Sequence, residues 1–292
     1  MLCTLEMDKF LEASSKNLEG LSYYEIVSEL GLLSFNTQGN KPIAYIAKLA
    51  RITNSSTVLV VGCGAGGTAL YLAEATGAAV YGIDISPGSI RVAKALASKS
   101  LASEKLHFQM GDANALSFLP NTFDLVVTEF MAFFLQGSAF EGLFSVLKFG
   151  GQIALAELVK DPNVNAIADA KILAAEQAYS AVLGYKFHVP LVTEYTGWLA
   201  KAGFENIRVA ERLSEPGFLQ KIEAAGGWKN LFKITSVLLR LMLASPLLRE
   251  MFLQVGLVKR VLYQNRSTAK YIFQGVIAGR KPLESEYKVP NR

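Results

Sequence analysis

Hydrophobic positions follow two alternating patterns in the central part of the chain. Short apolar runs, rich in β-branched residues, have the length of buried strands and occupy 57–62, 78–84, 106–112, 123–130 and 151–158. Helical patterns at 67–76 and 89–102 separate the first three runs. Because strands that alternate with helices form right-handed βαβ units, the pattern predicts an α/β fold with a doubly wound, mostly parallel sheet.

Patterns outside this region predict four segments. An N-terminal helical cap covers 1–55, where Asn40 is the expected cap of the last helix and Pro42 lies in its first turn. A core covers 56–213 and includes a lid segment at 160–192. A helical insertion covers 214–270, and 271–292 contain the final strand and tail.

The insertion is too long for a structureless loop. It contains two apolar helical patterns, 228–244 and 247–263, which Pro246 separates. Neither is long enough to span a bilayer. The first pattern, 228–244, is apolar on almost every face, and such a helix must be covered. We expect it to pack on the lid helix (164–183), on a second subunit or on a membrane surface.

Composition excludes several classes of protein. Half of the residues are hydrophobic and the net charge is only +4, without the Lys/Arg runs of nucleic-acid-binding arms. Cys3 and Cys63 have no metal-ligand spacing, so neither a metal site nor a disulfide scaffold is expected. The N-terminus lacks a signal-peptide pattern, and we expect a cytoplasmic protein.

The sequence VLVVGCGAGG at 58–67 predicts a ligand-binding turn. Gly62 ends the first strand, while Gly64 and Gly66 let the backbone approach a ligand ahead of a helix N-terminus. Asp84 ends the second strand, 22 positions after Gly62, where a carboxylate can accept hydrogen bonds from ribose hydroxyls. These features fit a nicotinamide cofactor as well as an adenosyl cofactor.

Later motifs separate these alternatives. GDA follows the third strand, FDLVV begins the fourth, and LKFGGQI leads into the fifth. Together with VLVVGCGAGG and GIDIS, they make the chain resemble the class I S-adenosylmethionine-dependent methyltransferases. The resemblance is to the small-molecule branch that includes the ubiquinone/menaquinone, sterol and phosphoethanolamine methyltransferases. It implies a Rossmann-like fold of seven strands, with an antiparallel seventh strand between strands five and six and an added helical lid.

The resemblance also implies a set of cofactor-binding residues. The glycines would wrap the methionyl part, Asp84 the ribose, Asp112 and the Ala113 backbone the adenine, and Glu129 and Phe130 would lie beside the sulfonium. The full set is Gly62, Cys63, Gly64, Gly66, Asp84, Ile85, Asp112, Ala113, Glu129 and Phe130. Structural alternatives remain open, because Asp112 could cap a turn, Asp84 could cap the next helix, and Cys63 could be a packing residue.

Methyl transfer is an in-line displacement in which alignment does most of the work. A base is needed only if the nucleophile arrives protonated, and the catalytic candidates are Glu129, His188 and Tyr24. His107, within the third strand, is expected to be structural. Aromatic faces hold a sulfonium, and the candidates for this role are Tyr23, Tyr24, Phe130, Phe133 and Phe134.

The expected function is methyl transfer from S-adenosyl-L-methionine to a small, bulky hydrophobic molecule. The residues TEFM after the fourth strand differ from the Asn/Asp-Pro-Pro-aromatic motif of enzymes that methylate adenine, so nucleic acid is not an expected partner. We expect the insertion and 164–190 to roof a deep apolar acceptor pocket. The sequence leaves two further interactions open, contact with a membrane surface through 228–263 and formation of a homodimer. A non-catalytic S-adenosylmethionine-binding protein and a nicotinamide-dependent oxidoreductase are the alternative functions.

Overall fold

The structure is a computed structural model that describes residues 38–135, 137–213, 222 and 227–286. The strands are β1 Thr57–Val61, β2 Ala79–Asp84, β3 Leu106–Met110, β4 Phe123–Glu129, β5 Leu147–Lys160, β6 Glu205–Leu213 and β7 Ile272–Arg280. The helices are α1 Lys41–Leu49, α2 Gly67–Thr76, α3 Pro87–Ala97, α4 Gly137–Val146, α5 Ala166–Leu183, α6 Val192–Lys201, α7 Trp228–Ala244 and α8 Pro246–Tyr263. The helices predicted before residue 38, with Tyr23 and Tyr24, lie outside the described residues.

The strands form one seven-stranded sheet in the order β3-β2-β1-β4-β5-β7-β6. Strands β1 to β5 pair in parallel, and β7 is antiparallel to both of its neighbours, β5 and β6. The predicted sheet is confirmed, including the position and direction of its last strand. The strand order reverses between β1 and β4, which places the ligand-binding crevice at the carboxyl ends of these strands.

Helices cover both faces of the sheet. One core cluster joins the inner strands to α4 and α6, with Phe140, Leu143 and Tyr195 fully buried. The opposite cluster includes Ile43 and Ile46 of α1, which are also fully buried. The end of the predicted N-terminal cap is therefore part of the core, because α1 covers the sheet itself.

The insertion is helical, as predicted, and α8 packs on the lid helix α5. Leu248, Val255, Val258 and Leu262 are the most buried apolar side chains of α8. The last three belong to an apolar cluster with α5. Helix α7 packs on α8. Several large apolar side chains of α7 are exposed, so α8 covers only part of this helix.

Two element boundaries differ from the predicted ones for local reasons, and a third agrees. Helix α3 begins at Pro87 rather than residue 89, because the Ser86 side chain accepts a hydrogen bond from the Ser89 N–H and caps the helix. Strand β5 continues to Lys160, where it pairs with Ile272 of β7. Helix α1 begins after Asn40, as predicted, although the Asn40 side chain makes no capping hydrogen bond.

Candidate active site

The turn between β1 and α2 depends on backbone conformations that favour glycine. Gly62, Gly64 and Gly66 have φ angles of +67°, +51° and +90°, all in the left-handed region that a Cβ disfavours. Helix α2 begins directly after Gly66, so its N-terminal N–H groups lie at the carboxyl edge of the sheet. The local fold therefore brings backbone donors to the position where the sequence predicts the cofactor.

The three glycines have different steric surroundings. A Cβ at Gly62 would lie 2.3 Å from Met131 Cγ, and one at Gly66 would lie 3.0 Å from the Phe108 ring. A Cβ at Gly64 would meet no atom within 4 Å among the residues that the structure describes. Protein packing therefore explains two of the glycines, whereas Gly64 turns an open backbone surface outward, as a closely bound ligand requires.

Asp84 joins the end of β2 to this turn. Its carboxylate accepts hydrogen bonds from the Gly64 N–H and the Ser86 N–H, both at 2.9 Å. Ser86, not Asp84, caps α3, so the helix-capping alternative for Asp84 is not observed. A carboxylate offers about four acceptor positions, which allows one side chain to hold the turn and to receive ribose hydroxyls.

The predicted adenine site lies after β3. Asp112 is exposed, and its Oδ1 accepts hydrogen bonds from the Asn114 N–H at 2.8 Å and the Asn114 amide at 3.0 Å. The turn-capping role is therefore present, and it is compatible with ligand binding. Ala113 is buried in the core, whereas the Ile85 side chain is 73% exposed next to Asp84. Ile85 offers an apolar surface on which a planar base could stack.

Cys63 lies between the glycines and belongs to the core. Burial, followed by the nearby negative charge of Asp84, raises the pKa of the Cys63 thiol well above its ordinary value. A thiol that stays protonated is a poor nucleophile. The structure supports a packing role for this side chain.

Glu129 ends β4, and its carboxylate accepts a hydrogen bond from the Thr68 hydroxyl of α2. This contact ties the β4 end to the helix that follows the glycine turn. The next residue, Phe130, has a φ of +52°, which is uncommon for a non-glycine residue. The Phe130 N–H donates to the Ala156 carbonyl at 3.1 Å, and this bond holds the strained turn in place.

Glu157 is a site residue that the sequence reasoning missed. It is fully buried on β5, and it accepts hydrogen bonds from the Thr128 hydroxyl at 2.7 Å and from the Met131 and Ala132 N–H groups at 3.0 Å. Burial raises the pKa of Glu157 to about 7, although these hydrogen bonds oppose the shift. The signal in the sequence was a single acidic residue inside an apolar strand, which must find buried partners.

Glu157 positions the loop that follows β4. By holding the Met131 N–H, it fixes the residue whose side chain packs directly against Gly62. The glycine turn and the post-β4 loop, the two segments predicted to flank the sulfonium, are thus fitted together around one buried carboxylate. We regard Glu157 as a positioning residue of the site.

The two histidines lie in different surroundings. His107 stacks on Tyr81 with a ring-centroid distance of 4.6 Å, within β3, which supports its predicted structural role. His188 lies in the segment between α5 and α6, where its Nε2 is 3.5 Å from Glu194 Oε1. Tyr24, the third catalytic candidate, lies outside the described residues.

An aromatic group links the post-β4 loop to the lid. The Phe133 ring is 4.2 Å from Phe134 and 5.1 Å from Phe187, and Phe134 is 5.1 Å from Tyr185. Phe133 and Phe187 belong to an apolar group that we call the lid cluster, and Phe134 packs against it. The buried members of the lid cluster are Phe133, Leu158, Ile172, Ala175, Tyr179, Leu183, Phe187, Val189, Val255, Val258, Leu262 and Ile272. Phe130 packs against the same cluster. The loop, the lid and the insertion therefore meet in one apolar region.

Two kinds of site are absent from the part of the chain that the structure describes. No group of His, Cys, Asp and Glu side chains there has the arrangement of a metal site. No helix there combines the length and apolar character that crossing a bilayer requires.

Comparison with known families identifies the chain. Residues 52–203, just over half of it, match the model of a methyltransferase domain. The chain belongs to this methyltransferase family. The matched region contains the glycine turn, Asp84, Asp112, Glu129 and Glu157, and the match leaves the oxidoreductase alternative without support.

Similar proteins cover different parts of the methyltransferase. Phosphoethanolamine N-methyltransferase of Triticum aestivum is 27% identical over 213 residues, which are 72% of this chain and 39% of that protein. This chain thus spans about two fifths of that relative. A Haemonchus contortus phosphoethanolamine N-methyltransferase 2 structure, in complex with S-adenosyl-L-methionine, has a TM-score of 0.64 at 18% identity over 96% of this chain and 60% of that one. The cyclase SpnF has a TM-score of 0.62 at 18% identity over 96% and 94%.

Proposed function

We propose that this methyltransferase transfers a methyl group from S-adenosyl-L-methionine to a bulky hydrophobic acceptor. The observation that carries the proposal is the position of Phe130, which ends the turn after β4 and packs on the lid cluster. An acceptor close to this residue would meet aromatic and aliphatic side chains from the post-β4 loop, α5 and α8. Such a surface favours apolar molecules through burial of their area.

The described residues fit the adenosyl cofactor. Gly64 offers an open backbone surface, Asp84 a carboxylate at the end of β2, and Ile85 an exposed apolar side chain beside it. Asp112 and Ala113 lie after β3, at the same edge of the parallel sheet. When bound, S-adenosyl-L-methionine supplies a methyl group already activated on a sulfonium, so the protein's main tasks are alignment and exclusion of water.

The aromatic group supports an apolar acceptor rather than a phosphorylated amine. Binding of a phosphate calls for Arg, Lys or several backbone donors. The Phe133 and Phe134 rings contact the Phe187 and Tyr185 rings, respectively, at edge-to-face angles, and these contacts form an apolar surface. Glu176, a buried carboxylate of the lid, accepts a hydrogen bond from the Val189 N–H at 2.8 Å.

Two described residues are candidates for a base, should the acceptor arrive protonated. Glu129 is at the carboxyl end of β4, where the sequence predicts the sulfonium, and it is held by Thr68. His188 follows the lid helix and faces Glu194. We assign Glu129 to the cofactor side and keep His188 as the candidate on the acceptor side.

The test is turnover of methyl-labelled S-adenosyl-L-methionine by the full chain with two sets of acceptors. One set contains isoprenoid alcohols and short-chain quinols, and the other contains phosphoethanolamine and ethanolamine. We expect the parent chain to transfer label to acceptors of the hydrophobic set. The Asp84→Ala variant should transfer none, because it should not hold the cofactor. Preferential labelling of phosphoethanolamine would overturn the hydrophobic acceptor. Cofactor binding without turnover by either set would support the non-catalytic alternative, and an acceptor isomerised without a mass gain would indicate a cyclase instead.

A further inference from the structure

Helix α7 exposes an apolar stripe that the proposed function does not use. Trp228, Phe232, Leu239 and Leu243 are 61%, 77%, 58% and 74% exposed. Since an α-helix has 3.6 residues per turn, their spacings of four, seven and four positions place all of them on one face. A single exposed leucine is ordinary, but four large apolar side chains on one face form a patch that usually marks an interaction site.

Positive charge is concentrated in the same region. Lys229 and Arg240 are exposed and lie roughly 80° around the helix from the centre of the stripe. The sequence of α7 contains no Asp or Glu. Residues 228–263 contain six Lys/Arg and one acidic residue, Glu250, a net charge of +5 where the whole chain carries +4. The rest of the chain is therefore close to neutral.

We infer that α7 docks flat on the surface of an anionic lipid membrane. In this arrangement, the α7 stripe enters the boundary between headgroups and acyl chains, while Lys229 and Arg240 lie near the lipid phosphates. A cationic helix with Trp, Phe and Leu on one face is typical of interfacial binding. The helix has only 17 residues, so it lies on the bilayer and does not cross it.

Charge also favours a membrane over a second copy of the chain. In a symmetric dimer through the α7 stripe, the same patch would face itself. Such a dimer brings Lys229 and Arg240 of one copy towards those of the other, and like charges at an interface oppose association. An anionic membrane instead complements them. Helix α8 connects this surface to the fold, since it packs on both α7 and α5.

The inference goes beyond the proposed function and does not depend on it, because membrane binding is measured without cofactor or acceptor. If the proposed function and the membrane inference are both correct, α7 would hold the methyltransferase at the membrane, in which hydrophobic acceptors dissolve. A failure of either leaves the other standing, since one is measured by label transfer and the other by vesicle binding.

The experiment is flotation of the full chain with vesicles of phosphatidylcholine alone or with added phosphatidylserine. We expect binding to rise with phosphatidylserine and to fall as salt increases from 0.05 M to 0.5 M, because screening weakens the attraction of each cation. The double variant Lys229→Gln/Arg240→Gln should bind phosphatidylserine vesicles about 25-fold more weakly, at about fivefold for each lost charge. Trp228 emission should shift to shorter wavelength when vesicles are added.

A second variant separates the stripe from general hydrophobicity. Phe232→Ser/Leu239→Ser removes two exposed side chains and should abolish flotation, while its thermal unfolding stays unchanged. The matched control is Leu101→Ser/Leu119→Ser, which removes two leucines elsewhere that are at least as exposed and should float like the parent. Flotation that survives in Phe232→Ser/Leu239→Ser would overturn the inference. The inference would also be overturned if the parent chain does not bind vesicles but forms a dimer in sedimentation velocity, and if Phe232→Ser/Leu239→Ser is a monomer.

Discussion

The Asp84 carboxylate accepts a hydrogen bond from the Gly64 backbone N–H over 2.9 Å, so the end of β2 directly holds the glycine turn after β1. Gly64 is also the glycine of this turn whose absent Cβ faces open space. The residue predicted to bind ribose therefore shapes the backbone surface predicted to meet the rest of the cofactor. Substitutions of Asp84 should affect both.

Asp84→Ala should weaken binding of S-adenosyl-L-methionine by several kcal/mol. Two charge-assisted hydrogen bonds to ribose, at about 1.5–3 kcal/mol each, set this scale. Titration calorimetry measures the change. The control is Asp124→Ala, which removes a strand carboxylate at the amino end of β4, where it accepts from the Thr57 N–H and pairs with Lys148. It should lower stability and leave affinity intact, and unchanged affinity in Asp84→Ala would remove Asp84 from the site.

Glu157 should make the free energy of unfolding depend on pH. Its pKa is raised from 4.5 to about 7 in the folded state, so the folded chain binds more protons than the unfolded chain between these values. The contribution of Glu157 to stability is thus fully present below pH 4.5 and is lost as pH rises through 7. The expected loss is about 3 kcal/mol relative to Glu157→Gln. Urea unfolding of both proteins from pH 4.5 to 8 tests this, and parallel stability curves would contradict it.

Glu157→Gln and Glu157→Ala should also differ in their effect on the site. Glutamine keeps an oxygen that can accept from the Met131 and Ala132 N–H groups. Alanine leaves both donors without this partner, at about 1–3 kcal/mol each. We therefore expect Glu157→Ala to lose stability and cofactor affinity, and Glu157→Gln to retain affinity near pH 7. Equal affinity in both variants would show that the loop does not depend on this carboxylate.

Much of the fold was predictable because buried parallel strands appear in the sequence as apolar runs. The positions of Gly62, Gly64, Gly66 and Asp84 at the strand ends were predictable from the same runs, whereas the expected place of Glu129 beside the cofactor came from the family resemblance. Parallel strands bring their carboxyl ends to one edge, so residues that follow each run must meet there. The antiparallel position of β7 came from the family resemblance rather than from the apolar pattern.

Other features depend on tertiary contacts that the pattern does not contain. The partners of Glu157 lie some 25 to 29 residues away, and they reach it only through the register of β4 against β5. The role of α1 was missed because an amphipathic helix before a sheet reads equally well as a cap or as a core element. For α7, apolar residues on every face gave no indication of which face α8 would cover.

Glu129→Gln should reduce kcat/KM by about 10- to 100-fold, the scale of one charge-assisted hydrogen bond. His188→Gln should reduce it by no more than about fivefold for an acceptor that needs no base. His188 and its partner Glu194 are partly exposed, and an exposed pair contributes less than about 1 kcal/mol. Steady-state kinetics across pH separate the two. A large loss in His188→Gln, together with the disappearance of a limb of the pH profile, would assign His188 as the base.

A chain that begins at residue 38 should fold but lose methyl transfer. It keeps α1 and removes Tyr23, Tyr24 and the rest of the predicted N-terminal cap before residue 38. A chain that begins at residue 53 should be much less stable, because that deletion also removes the buried Ile43 and Ile46 and the hydrogen bond from the Tyr45 hydroxyl to the Ala210 carbonyl. Losses of buried Ile side chains destabilise by about 2–5 kcal/mol each. Calorimetric unfolding and label transfer test both chains, and full activity of 38–292 would show that the segment is dispensable.

Phe134→Ala should impair the acceptor and leave the cofactor untouched. The Phe134 ring is half-buried between Phe133 and Tyr185, and Phe134, like Phe130, packs against the lid cluster. Loss of a buried aromatic surface corresponds to about 1.5–3 kcal/mol, so KM for a hydrophobic acceptor should rise about 10- to 100-fold. The Kd of S-adenosyl-L-methionine should stay within about twofold.

The matched control for this last prediction is Phe118→Ala. Phe118 is also half-buried, but it contacts Tyr81 and Phe123 on the far side of β4, in the main core. Its loss should lower stability without changing KM for the acceptor. If both variants raise KM equally, the effect is a general loss of packing. If Phe134→Ala leaves KM unchanged, the acceptor does not bind against the lid cluster, and the hydrophobic pocket must be sought elsewhere around Phe130.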